Sequence, residues 1–183
     1  NLESFKGNHT DLTNVNFNGA PALKSIYCEW ASLTTVNVSA LTQLELLELS
    51  HNEITAINLG TINNLKTLTC WENQLTNLDV AAQTGLITLT CANNQLTQLN
   101  VSSLVNLKNL ACDSNAIMTL DVTALAQLTS LSCSDNQLTA LNLNGLDQLK
   151  HLYISDNSIT GIDLTHVPLL NYLVSTTQSR HSI

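Results

Sequence analysis

Leucine returns every 21 residues along this chain, at Leu2, Leu23, Leu44, Leu65, Leu86, Leu107, Leu128, Leu149 and Leu170, with no insertion between them. A unit of that length cannot bury a core alone, so its apolar face has to close against the next copy. With that leucine as position 1, position 4 reads Phe5, Ile26, Leu47, Leu68, Leu89, Leu110, Leu131, Leu152 and Leu173. Position 11 is Leu or Ile in all eight complete units, and positions 14 and 16 are apolar throughout, as in Leu78 and Val80. Position 9 is Asn in six consecutive units: Asn52, Asn73, Asn94, Asn115, Asn136 and Asn157. The chain therefore reads as one domain, 1–183, of units 2–22, 23–43, 44–64, 65–85, 86–106, 107–127, 128–148, 149–169 and a partial 170–183.

Positions 3 to 7 alternate between core and solvent with the period of a strand. Parallel strands stacked at about 4.8 Å give an arc of roughly 40 Å for the nine rungs. Positions 11 to 16 form a second extended segment on the opposite side, which leaves little room for a helix. The Asn at position 9 turns inward and satisfies buried backbone groups at the bend, so its role is structural.

Spelled out, L-x-x-L-x-C-x-x-N-x-L resembles the leucine-rich-repeat pattern with Cys at a usual Leu position, over essentially the whole chain. The second half of each unit, L-T-x-L-[ND]-[VL], is similar to a 21-residue subclass found mostly in bacterial surface proteins. The resemblance implies a leucine-rich-repeat solenoid with a parallel β-sheet on its concave side, short extended or irregular convex segments and little α-helix. It also implies a bacterial cell-surface or secreted compartment and an adhesion theme.

A weaker period of 42 residues overlies the first, with Lys24, Lys66, Lys108 and Lys150 at position 2. Position 15 alternates likewise through Asp79, Asn100, Asp121, Asn142 and Asp163. Spacing like charges two rungs apart, or duplicating a two-unit block, produces this pattern equally well. Either is architecture.

The net charge of −8 argues against a nucleic-acid partner and an anionic membrane surface, both of which demand a basic face. No run approaches the roughly 18 apolar residues of a membrane span, and the N-terminus lacks the pattern of a signal peptide. The chain opens partway into a repeat, which reads as a piece of something longer.

Five cysteines, Cys28, Cys70, Cys91, Cys112 and Cys133, share position 6, which points inward. There a free thiol acts as a small hydrophobe, and no C-x-x-C pair suggests zinc. No nucleophile elbow, phosphate loop or H-E-x-x-H motif occurs, so no enzyme is expected. The histidines His9, His51, His151, His166 and His181 are read as scattered over different columns. Sequons at Asn37 and Asn100 fall out of the repeat phrase N-V-S; a third starts at Asn8.

In the resembled family, strand positions 3, 5, 7 and 8 line the concave face, where specificity is encoded. Here most are Ser, Thr, Ala or Asn. Tyr27, Glu29, Trp30, Glu48, His51, Trp71 and Glu72 depart from that blandness, all within units two to four. Trp30, His51 and Glu72 form one lateral row, with Glu29, Ser50 and Trp71 alongside, and exposed aromatics with carboxylates build recognition patches. The competing reading is that these large residues shield a cap-like end, and Ala31, which breaks the Asn pattern, favours it. A second, acidic group comprises Asp113, Asp135 and Asp156, flanked by Ser114, Ser134, Ser155, His151 and Tyr153. Without a Gly-containing loop it fits a solvated face or a basic partner better than calcium, so no metal or cofactor is expected.

Unit one is degenerate, with Gly7 and Thr10 at the core and Asn positions, and the pattern fades after Val174. Uncovered strand edges at either end suit end-to-end dimerisation or flanking domains. The expected function is protein or glycan binding in a bacterial surface or secreted protein. The rivals are a substrate-recruiting domain of a secreted effector whose catalytic domain lies elsewhere, and a structural spacer.

Overall fold

In a computed structural model of the chain, residues 1–176 are described; 177–183, which include His181 and the end of the ninth unit, lie outside them. Eleven three-residue strands follow in order: β1 Ser4–Lys6, β2 Ser25–Tyr27, β3 Thr35–Asn37, β4 Leu46–Glu48, β5 Ala56–Asn58, β6 Thr67–Thr69, β7 Thr88–Thr90, β8 Asn109–Ala111, β9 Ser130–Ser132, β10 His151–Tyr153 and β11 Tyr172–Val174. Nine of them, all but β3 and β5, make one parallel sheet in chain order. Each residue pairs with the one 21 further on, as Leu47 does with Leu68 and Leu68 with Leu89. No helix occurs among the described residues. The chain forms a leucine-rich-repeat solenoid.

The register keeps each core position in a column. From Leu23 to Leu149 the position-1 leucines are fully buried, and position 4 is equally closed from Ile26 to Leu152. Cys28, Cys70, Cys91, Cys112 and Cys133 lie in the same core, all free thiols. The Asn column works as expected. Asn94 accepts the Leu75 N–H at 2.9 Å and donates to the carbonyls of Cys70 and Cys91, stitching two rungs together. In unit one the Thr10 hydroxyl takes over part of that role by donating to the Gly7 carbonyl at 2.7 Å. Phe5 and Phe17 meet edge to face at 5.4 Å nearby, so aromatic packing covers this end of the core.

The convex side is less regular than a continuous extended segment. Among the described residues β3 and β5 alone pair there, joining Val36 to Ile57. From unit four to unit seven the same position holds Leu78, Leu99, Leu120 and Leu141, which lack the branched Cβ that favours strands. Val15 and Ile162, in the end units, are branched yet unpaired, so branching alone is not enough. What does repeat on this side is a turn at position 15. The side-chain oxygen of each residue from Asn16 to Asp163 accepts the backbone N–H two residues on. Asp and Asn serve equally in such a turn. Asn37 and Asn100 of the two N-V-S sequons are thus engaged with Ser39 and Ser102.

Candidate functional site: the aromatic and acidic concave face

Each strand of the nine-stranded sheet before β11 ends in a turn that a single residue makes possible. At position 8, His9, Trp30, His51, Glu72, Asn93, Ser114, Asp135 and Asp156 all have φ between +51° and +56°. This left-handed conformation reverses the chain so that the Asn at position 9 points inward. It also lines the position-8 side chains into a row along the concave rim. Asn, Asp and His tolerate that region; Trp and Glu are poorly suited to it.

On that row the imidazole of His51 lies parallel to the Trp30 indole, with centroids 3.6 Å apart and planes 14° off parallel. Trp71 meets the same imidazole edge-on at 4.0 Å. His51 Nδ1 sits 2.6 Å from Glu72 Oε2, and the ring is almost enclosed while Trp30 stays 53% exposed. His9 extends the stack, its ring 6.3 Å from Trp30 and nearly parallel. His9 and His51 therefore share one column two rungs apart, and are not scattered. Counting in steps of 21 reveals this in the sequence, and His9 belongs with the cluster on that ground.

One column inward, the register sets Lys6 beside Tyr27, Tyr27 beside Glu48, and Glu48 beside Thr69. Lys6 Nζ lies 5.4 Å from the centre of the Tyr27 ring, a cation over an aromatic face. Burial pushes the Glu48 carboxyl above its ordinary range, and the charge of Glu29 pushes it further. The ion pairs among the described residues are Lys24–Glu3, His51–Glu72 and His166–Asp163, so neither Glu29 nor Glu48 has a cationic partner. Ser50 is fully buried and its Oγ has no hydrogen-bond partner; Thr69 Oγ1 is likewise unpartnered. All seven residues expected in units two to four thus lie on neighbouring rungs of one face.

The acidic group divides. Asp113 accepts hydrogen bonds from the Ser132 hydroxyl and the Ser134 N–H, so its carboxylate holds two rungs together. Asp135 and Asp156 belong to the position-8 row. Tyr153 and Tyr172 pack 5.4 Å apart beside His151. Among the described residues no three His, Cys, Asp or Glu side chains converge as a metal site requires. Burial pushes the Cys28 thiol up to about 11 and those of Cys91 and Cys133 up to about 12, with Cys70 and Cys112 raised as well. Such thiols are not nucleophiles near neutral pH. Three surface depressions lie away from the patch, one of them a convex groove lined by Asn77, Asp79, Gln98, Asn100 and Asp121. None of the three includes a residue of the aromatic and acidic cluster.

A profile for the Leucine Rich Repeat family matches residues 148–170. Among solved structures, the functional domain of InlJ from Listeria monocytogenes, described as including a cysteine ladder, is 30% identical with a TM-score of 0.78, covering 96% of this chain and 44% of that one. The chain belongs to the leucine-rich-repeat family. Another member, an LRR protein of Leptospira interrogans, is 26% identical with a TM-score of 0.86, over 94% of this chain and 49% of that one. An internalin of Listeria monocytogenes is 25% identical with a TM-score of 0.65, over 86% and 55%. This leucine-rich-repeat chain therefore spans about half the length of these three solved structures. No curated protein sequence matches it. Its own column of buried cysteines parallels the ladder described for InlJ. Among the described residues no helix is long and apolar enough to cross a membrane.

Proposed function

We propose that this leucine-rich-repeat chain is a recognition module of a bacterial surface or secreted protein, binding a protein or glycan through its concave face. Likeness to InlJ and to an internalin supports the bacterial setting, while the adhesion theme rests on the repeat subclass that the sequence resembles. One observation carries the choice of site: Trp30 is half exposed and held at φ +54°, where a tryptophan is ill suited, yet stacked on His51. The turn recurs in every described unit, so what sets Trp30 apart is the side chain it carries: a large aromatic face left open to solvent, the pattern of a binding surface. End-shielding is the weaker account, because Phe5 and Phe17 already cover that end of the core. Asp135, Asp156, Tyr153 and Tyr172 supply a second contact further along the arc.

The test is a glycan and host-protein binding array probed with the wild type and with Trp30→Ala plus Trp71→Ala. A ligand whose affinity falls at least tenfold in the double variant supports the reading, since aromatic hot spots cost about 2 kcal/mol or more when truncated. An undiminished signal would mean that the face is a spacer or that binding lies elsewhere.

A further inference from the structure

Among the described residues, the Glu29 and Glu48 carboxylates of the concave patch are not neutralised by an ion pair. The two lie on adjacent rungs. Their neighbour Ser50 is fully enclosed with a hydroxyl that has no partner, and Thr69, beside Glu48 in the strand register, has another. Buried hydroxyls left unsatisfied are costly, so a hydrogen-bonding group brought close to Ser50 or Thr69 would be favoured there. The chain also shows what the neighbouring aromatic face accepts, because Lys6 holds its ammonium over Tyr27.

We propose that the patch seats a cationic side chain of a protein partner, an arginine or lysine, with its charge between Glu29 and Glu48 and its stem along Tyr27 and Trp30. This rests on the recognition reading above and adds the chemistry of the partner. A carbohydrate would use the aromatic faces but would leave two carboxylates to repel one another. A cation removes that repulsion, and the −8 charge of the chain draws such a partner in. A planar guanidinium also stacks on the open indole of Trp30.

The probe is a twelve-residue Gly/Ser peptide bearing four arginines, compared with its glutamine counterpart and titrated against Trp fluorescence. The glycan array runs in parallel. Binding of the arginine peptide but not the glutamine one is expected, weakening roughly tenfold in Glu29→Gln plus Glu48→Gln. The variant Glu53→Gln plus Asp147→Asn removes two charges from exposed positions elsewhere and should stay within about twofold of wild type. Equal loss in both variants would assign the effect to bulk charge and overturn the inference. So would glycan binding without peptide binding, although recognition by the face would then stand. Silence on every surface would sink both. Urea denaturation guards against misfolding: Glu48→Gln removes a repulsion, so the variant should be at least as stable as wild type while binding less.

Discussion

At position 8 every described unit from His9 to Asp156 spends its left-handed residue on a side chain other than glycine. An L-residue in that region costs about 1–2 kcal/mol, partly offset in glycine by the greater freedom of its unfolded chain. Ser114 contributes nothing to the aromatic stack, so Ser114→Gly should raise stability by about 0.5–1 kcal/mol, read as a higher urea midpoint with an unchanged slope. The same change at Trp30 would relieve the same strain but strip the indole from His51, so binding should fall without the gain in stability seen at Ser114. His51 shows how such residues cooperate: its ring is stacked by one tryptophan, met edge-on by another and paired to Glu72.

A single rung is three strand residues and a turn, and its stability comes from the rungs on either side. Leu89 in β7 is fully enclosed between Leu68 and Leu110 in register. Leu89→Ala should therefore cost about 3 kcal/mol, the usual range for a buried leucine. Leu173 in β11 is 39% exposed, and the same substitution there should cost under about 1 kcal/mol. A pair of urea curves checks both, and similar losses would contradict a stack in which each rung leans on two others. Much of this level is legible in the sequence. The 21-residue phase sets the strand register, because a slip of one residue would turn Leu47 and Leu68 outward. Convex pairing is not legible, since it depends on how neighbouring turns stack, and among the described residues β3 and β5 alone achieve it.

Across the whole molecule the buried thiols tie stability to alkaline pH. Burial holds Cys91 and Cys133 at about 12 and Cys28 at about 11, while an unfolded chain releases its thiol protons near 8.5. Below that value both states keep their protons and the contribution is complete. Above it the unfolded chain binds fewer protons, so unfolding is favoured and stability drains away as pH rises toward the folded values. The urea midpoint should fall progressively between about pH 8.5 and 11. Cys91→Ala plus Cys133→Ala should flatten that slope, which separates the thiols from lysine and tyrosine. An identical slope in the variant would show that the cysteines play no part.

Repetition in the sequence dictates the architecture, the columns and the core, because every unit repeats the same short-range problem and its neighbours are copies of itself. It also placed seven unusual residues on one face. Tertiary structure alone decided which of them touch and which polar groups are left over. It spent Asp113 on Ser132 and Ser134, locked His51 between Trp30 and Trp71, and among the described residues left Glu29 and Glu48 without an ion pair and the Ser50 hydroxyl without a hydrogen bond. Phase tells which side chains share a row. Rotamers, burial and the turn at position 8 decide what that row can hold, and those depend on side chains 21 and 42 residues apart being packed together.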